Sequence, residues 1–206
     1  RKIEELNIAK SEEREFLVTG AGGSIGSEIV RQLLNQNPRK VILFDISEYS
    51  LFRIYEEVKL IKAKNGLSTL VIPVLGNILD SKHLQRIFLE HVIDTVYHAA
   101  AFKHVPLVQD KNNISKSVEN NFIGTYNLAK ESLRANVKSF VLISTDKAVR
   151  PTNVMGASKR MAEIAVQVLN EMSQNSKLSM VRFGNVINSS GSVIPLFLEQ
   201  ISRGGP

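Results

Sequence analysis

The sequence contains no cysteine and no tryptophan among its 206 residues. Without cysteine there can be no disulfide bonds and no thiolate metal site, which fits a reducing compartment. No apolar run approaches the roughly 20 residues that a transmembrane helix needs. The first residues, RKIEELNIAKSEER, lack the apolar core of a signal peptide. These absences favour a cytoplasmic protein, and we also predict no metal site.

The chain also has little excess of either charge. Lys and Arg total 26 against 20 Asp and Glu, giving a formal net charge of +6. The basic residues are scattered along the chain rather than packed into a run, so we predict no nucleic-acid partner. A phosphorylated small molecule needs only a local basic cluster, and we expect an anionic ligand of that kind.

Six short apolar runs alternate with segments of helical character. This alternation predicts an α/β protein, a doubly wound parallel sheet of the Rossmann type. The runs occupy residues 16–19, 41–44, 70–75, 95–97, 140–143 and 178–181. Between the fourth and fifth runs, residues 113–136 predict one long helix.

The division of the chain into parts follows from the same pattern. Residues 1–15 predict a charged lead-in, and residues 16–206 a dinucleotide-binding domain. A substrate-binding part is expected to start at about residue 185. Sheets of this type usually carry further elements that close the substrate side, so we expect the C-terminal substrate region to be truncated.

A glycine-rich turn follows the first predicted strand directly. Glycines at such a place make a tight turn, allow close approach to a pyrophosphate and let the helix pack on the strand. The N–H groups and positive dipole end of the next helix attract the same anion. The predicted contacts are Gly20, Gly22, Gly23, Ser24, Ile25 and Gly26.

Asp45 ends the second predicted strand. An acidic residue about 20 positions after the glycine turn accepts the ribose hydroxyls of the adenosine half and repels a 2′-phosphate. The sequence therefore predicts NAD rather than NADP. The alternative for Asp45 is a helix N-cap ahead of residues 47–64.

Further residues at strand ends are predicted to contact the cofactor. Asn77 is placed to meet the adenine edge, and a run of small residues after the fourth strand lets the backbone approach a flat ring. Asn121 lies on the predicted long helix, where a buried amide needs partners; a tie between the helix and the neighbouring strand is compatible with a place in an active-site network. The cofactor residues of this group are Asn77, Ile78, Ala99, Ala100, Ala101, Asn121 and Ser144.

The segment 139–163 carries the strongest indication of catalysis. It begins as a buried run and then breaks into Ser144-Thr145-Asp146-Lys147 at the strand end where open α/β sheets bind ligands. Asp146 and Lys147 place an acid beside a base, as removal of water requires. The alternative is a structural ion pair. Lys159 follows Met155 by four residues, so the two share one helical face.

Five stretches together resemble the nucleotide-sugar 4,6-dehydratases of the extended short-chain dehydrogenase/reductase family. The likeness is greatest to the polysaccharide-biosynthesis group that acts on UDP-N-acetylglucosamine, and it covers residues 16–206. The stretches are TGAGGSIG, HAAAFKHVPLV, NFIGTYNLA, STDKAVRPTNVMGASKRMAE and RFGNVINSSGSVIPLF.

This resemblance implies a role for each residue of the central segment. Met155 occupies the family's tyrosine position, as in the large membrane-anchored members, and Lys159 keeps the lysine role beside the nicotinamide ribose. Thr145 or Asp146 deprotonates the sugar C4 hydroxyl, and the hydride on C4 passes to NAD. Lys147 then removes the C5 proton, Asp146 protonates the departing C6 hydroxyl, and the hydride returns to C6.

The resemblance also implies the substrate contacts, the oligomeric state and the location of the enzyme. Substrate contacts fall on Lys103, His104, Asn185 and Ser190, although His104 could equally be a surface residue. A homo-oligomer is expected, as is a membrane anchor outside this chain, with the domain at the cytoplasmic face. The alternatives are a UDP-sugar 4-epimerase, which normally relies on the tyrosine that is Met155 here, and a non-catalytic NAD-binding module.

Overall fold

The computed structural model describes residues 13–184, 186, 197 and 200–205. Most of the charged lead-in therefore lies outside the described residues. The first strand begins at Glu15, one residue before the predicted domain start. Within the described ranges, no helix is both long and apolar enough to cross a membrane.

The predicted doubly wound parallel sheet is confirmed. Its six strands stand in the order β3-β2-β1-β4-β5-β6, and each paired neighbour is parallel. The strands are β1 (Glu15–Thr19), β2 (Lys40–Asp45), β3 (Leu70–Leu75), β4 (Thr95–His98), β5 (Ser139–Thr145) and β6 (Lys177–Phe183).

Helices cover both faces of this sheet. They are α1 (Ser24–Leu34), α2 (Glu48–Asn65), α3 (Ser81–Glu90), α4 (Val105–Val108), α5 (Ile114–Val118), α6 (Thr125–Arg134) and α7 (Val154–Glu171). The long helix predicted over 113–136 is helical from Ile114 to Arg134, and a π-helical turn, Glu119–Gly124, lies between α5 and α6. A short 3₁₀ turn, Asp146–Ala148, follows β5.

Strands β1 and β2 are buried on both faces, which explains their continuous apolar runs. Leu17 and Ile42 belong to the core under α3, α6 and α7. Their neighbours Val18 and Leu43 belong to the core under α1 and α2.

The strand order fixes where a ligand can bind. The chain builds β1, β2 and β3 in one direction and then returns to place β4 on the other side of β1. A crevice opens at such a switch point, outside the carboxyl ends of the strands. Thr19 and His98 end the two strands that flank it.

Candidate functional site

The glycine turn packs against the loop that follows β4. Gly20 has a φ of +66°, and a Cβ there would lie 2.7 Å from the Ala100 backbone nitrogen. A Cβ on Gly26 would lie 2.0 Å from the Gly20 carbonyl oxygen, so α1 starts against the strand end. Gly23 caps α1 without a side-chain hydrogen bond. The helix N-terminus thus faces the crevice with backbone groups suited to an anion.

Asp45 holds the glycine turn and the next loop together. Its carboxylate accepts hydrogen bonds from the Gly22 and Ser47 backbone N–H groups, each at 2.9 Å. The alternative of a helix N-cap at Asp45 is wrong, because Ser47 caps α2 by accepting from the Ser50 N–H. Asp45 is 7% exposed and lines the crevice.

A cleft of about 170 Å³ brings most of the predicted cofactor residues together. Its lining includes eight of them: Gly20, Gly23, Asp45, Asn77, Ile78, Ala99, Ala100 and Ala101. The residues that sequence reasoning missed are Phe44, Ile46, Ser50, Gly76, Phe102 and Asn120. The cleft fits a dinucleotide because the glycine at position 20 leaves open the space between the strand ends. A Cβ at Gly20 would fill that space.

Ile25 lies elsewhere. Its side chain lines a second cavity of about 480 Å³ on the α1 side of the sheet, together with Ile29, Tyr97 and Phe183.

The side-chain amide of Asn121 makes its hydrogen bonds within the protein. Its Oδ1 accepts from the Phe102 N–H at 2.8 Å and from Asn120 Nδ2 at 3.1 Å. Its Nδ2 donates to the Phe102 carbonyl and to Ser158 Oγ, both at 3.0 Å. Asn121 therefore links the π turn both to the loop after β4 and to α7. The structural link predicted from the sequence was to the neighbouring strand.

His98 extends the same network beneath the cleft. Thr125 Oγ1 donates to the Asn121 carbonyl at 2.7 Å, so it accepts from His98 Nε2 at 2.8 Å. His98 Nδ1 then accepts from Thr19 Oγ1 at 2.7 Å. Burial, helped by the charge of Lys159, lowers the pKa of His98 to about 3. The histidine is a neutral structural link.

Three predicted catalytic residues form one cluster at the end of β5. Asp146 Oδ1 accepts from Thr145 Oγ1 at 3.0 Å and from Lys147 Nζ at 3.3 Å. The hydrogen bond from Thr145 and the nearby Lys147 lower the pKa of the Asp146 carboxyl. A Cβ on Gly184 would lie 3.5 Å from Asp146 Oδ2, so the carboxylate also borders the end of β6.

Lys159 and Met155 lie behind this cluster on α7. Both side chains are buried, Lys159 being 4% exposed and Met155 5%. Lys159 Nζ donates to the Ile143 carbonyl at 2.7 Å. Burial lowers the pKa of Lys159 to about 8, and the nearby Glu163 carboxylate partly opposes this. The lysine remains mostly charged at neutral pH.

Glu163 was missed as a functional residue. It follows Lys159 by four residues on the same face of α7 and is 0% exposed. Its carboxylate accepts from Ser144 Oγ at 2.6 Å and from Arg160 Nη1 at 3.0 Å. The spacing from Met155 through Lys159 to Glu163 was the available signal, since side chains four apart share a helix face.

The predicted substrate residues are only partly described. Lys103 and His104 are exposed in the loop between β4 and α4. Asn185 and Ser190 lie outside the described residues.

Three relatives resemble the chain over nearly its whole length. The capsular polysaccharide biosynthesis protein CapD of Staphylococcus aureus is 46% identical over 94% of this chain, which spans 31% of CapD. An inverting UDP-N-acetylglucosamine 4,6-dehydratase of Campylobacter jejuni is 31% identical over 93% of the chain and 54% of that protein. A UDP-glucose 4-epimerase of Rickettsia canadensis is 33% identical with the same coverage.

Solved structures show the same fold. The Pen protein of Bacillus thuringiensis superposes with a TM-score of 0.84 at 32% identity, covering 95% of this chain and 57% of that one. DesIV, a dTDP-glucose 4,6-dehydratase of Streptomyces venezuelae with NAD bound, gives 0.77 at 25% identity, covering 93% and 63%.

The model of one family matches residues 16–206, which include every predicted site residue. The chain therefore belongs to the polysaccharide biosynthesis protein family.

Proposed function

We propose that the protein is the catalytic part of an NAD-dependent nucleotide-sugar 4,6-dehydratase acting on UDP-N-acetylglucosamine. The observation that carries this proposal is the Thr145-Asp146-Lys147 cluster at the carboxyl end of β5. Dehydration needs a base for the C5 proton and an acid for the C6 hydroxyl. Asp146 and Lys147 are two such groups, 3.3 Å apart.

The residues of the cleft fit NAD. The glycine turn and the start of α1 would hold the pyrophosphate, and Asp45 would accept the adenosine ribose hydroxyls. When bound, NAD supplies an acceptor for the C4 hydride of the sugar and later gives the hydride back to C6. The NAD-bound dTDP-glucose dehydratase of similar fold supports this assignment.

The pKa of the Asp146 carboxyl is lowered by the hydrogen bond from Thr145 and by the nearby Lys147, so Asp146 is charged in the absence of ligand. The proposed roles need the neutral forms, an acidic Asp146 and a basic Lys147. The C4 hydroxyl proton, accepted directly or through Thr145, would convert the Asp146 carboxylate into the acid, and Asp146 would then pass this proton to the departing C6 hydroxyl. Loss of water around the pair favours this shift, since desolvation disfavours charged groups.

Thr145 links this shift to substrate binding. Its hydroxyl donates to Asp146 in the free protein and is the largest cause of the lowered pKa there. A sugar hydroxyl that takes the Thr145 hydrogen bond would release Asp146 to receive a proton. Thr145 and Asp146 remain the two candidates for deprotonating the C4 hydroxyl, because the Met155 thioether cannot accept a proton. The charge of Lys159 would lower the pKa of that hydroxyl.

The second candidate function is 4-epimerisation of a UDP-sugar. The epimerase relative is as similar to the chain as the dehydratase relative, so similarity does not separate them. An epimerase needs neither the Asp146 acid nor the Lys147 base, and this favours the dehydratase.

The deciding experiment is incubation of the full-length protein with UDP-N-acetylglucosamine and NAD in heavy water. Loss of one water with deuterium at C5 supports the dehydratase, and C5 coupling then gives retention or inversion. A C4-epimer without deuterium identifies the epimerase. Unchanged sugar with NAD bound indicates a binding module. Lys147→Met should abolish deuterium uptake, with Lys111→Met as control on an exposed lysine.

We also propose a homo-oligomer that uses the outer face of α6 and α7. Met161, Ile164 and Val168 are 41%, 46% and 50% exposed at helical spacing on α7, with Tyr126 of α6 37% exposed. Such an exposed apolar stripe is typical of a partner surface. Ile164→Glu should reduce the mass measured by light scattering, whereas Leu89→Glu, an exposed change on α3, should not.

Lys103 and His104 are proposed to contact the substrate, and the reducing cytoplasm is the proposed location.

A further inference from the structure

Arg150 has a left-handed backbone in the turn between β5 and α7. Within the described part of the chain, the residues other than glycine with a positive φ are Asn37, Asn136 and Arg150. Asparagine tolerates this conformation because its short polar side chain can hydrogen-bond locally, whereas arginine gains nothing of the kind. Arg150 has a φ of +52°, and Pro151 after it restricts its backbone further. Glycine is the residue that physical chemistry favours at this position.

The chain on both sides of Arg150 is held tightly. The Val149 N–H donates to the Asp146 carbonyl at 2.9 Å, which closes the 3₁₀ turn. A Cβ on Gly156 would lie 2.3 Å from the Lys147 carbonyl oxygen and 3.2 Å from Pro151 Cβ, so the first turn of α7 packs directly on this turn. Strained residues persist where their surroundings fix them in this way, and they cluster at functional sites.

The side chain of Arg150 is not used inside the protein. It is exposed, and within the described residues it has no hydrogen bond, ion pair or ring contact. Two other arginines of the same region differ, because Arg160 and Arg182 both donate to the Glu163 carboxylate. Arg150 therefore carries backbone strain without an internal contact that offsets it, and its guanidinium is available to a ligand.

The charges around Arg150 favour an anionic ligand. The loop 99–104 after β4 and the segment 144–153 after β5 contain three cations, Lys103, Lys147 and Arg150, and one carboxylate, Asp146. These two segments are neighbours, because β4 pairs with β5. The excess of positive charge at this edge attracts anions. The pyrophosphate of NAD would lie at the glycine turn after β1, with β4 between β1 and β5, so the anion at the end of β5 belongs to a second ligand.

We propose that Arg150 binds the diphosphate of the sugar nucleotide. The inference rests on the proposed function, in which the reacting sugar lies at Thr145, Asp146 and Lys147. The diphosphate is bonded to C1 of that sugar, so it lies one sugar ring away from the reacting carbons. A guanidinium suits this group because its planar fork donates two parallel hydrogen bonds to phosphate oxygens. The strain at Arg150 is then the cost of placing that fork beside the cluster.

The test measures the affinity of the full-length protein for UDP, uridine and NAD by calorimetry. Arg150→Asn should weaken UDP binding by at least about tenfold, the effect of one charged hydrogen bond. It should leave uridine and NAD unchanged, since neither places an anion at the end of β5. Arg150→Gly should weaken UDP to the same extent, because both substitutions suit a positive φ and both remove the guanidinium. Arg86→Gln, at an exposed arginine on α3, is the control and should alter none of the three.

Urea unfolding separates this role from a structural one. Arg150→Asn relieves the backbone strain, so it should unfold at a higher urea concentration than the native protein while binding UDP more weakly. General damage to the fold would lower both. Native UDP affinity in both variants, or equal losses for UDP and NAD, overturns the inference and leaves the proposed function standing. Failure of the native protein to bind UDP overturns the proposed substrate as well.

Discussion

Glu163 and Arg182 form a two-point ion pair that joins α7 to β6. Arg182 Nε donates to Glu163 Oε1 at 2.7 Å and its Nη2 donates to Oε2 at 2.6 Å. Burial raises the pKa of Glu163, but the donors Arg182, Ser144 and Arg160 outweigh it and lower the pKa to about 2. The Glu163 carboxylate therefore holds α7 to the ends of β5 and β6. Its contact on β5 is Ser144, which lies one residue before Thr145.

Glu163→Gln should destabilise the protein. The amide cannot balance the charge of Arg182, and its N–H groups oppose the donors that surround it. We expect a loss of about 2 kcal/mol, less than for a fully buried pair because Arg182 is partly exposed. Urea unfolding measures the change.

The matched control is Glu119→Gln, which breaks an exposed pair with Lys116. That loss should stay below about 0.5 kcal/mol. Equal losses in the two variants would show that Glu163 is not an anchor.

His98 should make the protein sensitive to acid. Its pKa is about 3 when folded and about 6.5 in an unfolded chain. Below pH 6.5 the unfolded state binds a proton that the folded state does not, so stability falls as the pH decreases towards 3. The contribution lost between pH 8 and pH 5 is about 2 kcal/mol.

Urea unfolding at several pH values measures this dependence. In His98→Gln the loss between pH 8 and pH 5 should be smaller by that amount, although the variant is less stable at every pH. His104→Gln changes an exposed histidine and serves as the control. A dependence that is the same in native and His98→Gln protein would contradict the assignment.

The sheet could be predicted because its information is local. Strands such as Val41–Phe44 are buried on both faces, so they appear in the sequence as unbroken apolar runs. The glycine turn and Asp45 could be predicted equally well from the sequence, since the spacing between a strand, a turn and an acidic residue is short. Eight predicted cofactor residues consequently line one cleft.

The residues that were missed depend on contacts between distant parts of the chain. Glu163 and Asn120 are polar residues in helices, where most such residues are solvated. Nothing local indicates that Arg182 reaches Glu163 from β6, or that Phe102 engages Asn121 and leaves Asn120 to the cleft. The π turn was missed for the same reason. Its side chains contact distant parts of the chain, and no periodicity in the sequence marks it.

Gly156→Ala should impair catalysis without impairing cofactor binding. A Cβ at this position would lie 2.3 Å from the Lys147 carbonyl oxygen. The first turn of α7 and the 3₁₀ turn Asp146–Ala148 would have to separate, displacing Lys147 and Asp146. A displacement of about 1 Å can cost about a hundredfold in turnover. We expect a loss of that order in kcat and an NAD affinity close to native.

Gly184→Ala provides the comparison at the same site. Its Cβ would make an ordinary contact of 3.5 Å with Asp146 Oδ2, so turnover should fall little. Equal kcat values for Gly156→Ala and native protein would show that the packing of α7 does not position the 3₁₀ turn Asp146–Ala148.

Lys159 should give the activity an alkaline limit. In the proposed mechanism the protonated side chain lowers the pKa of the sugar C4 hydroxyl, and the pKa of Lys159 itself is about 8 because the side chain is buried. Turnover should therefore fall as the pH rises through about 8. The nearby Glu163 carboxylate raises the pKa of Lys159, so in Glu163→Gln the limit should move to lower pH. Lys159→Arg stays charged, because arginine has a pKa above about 12, and any residual activity should lack the limit. An unchanged profile in both variants would assign the alkaline limit to another group.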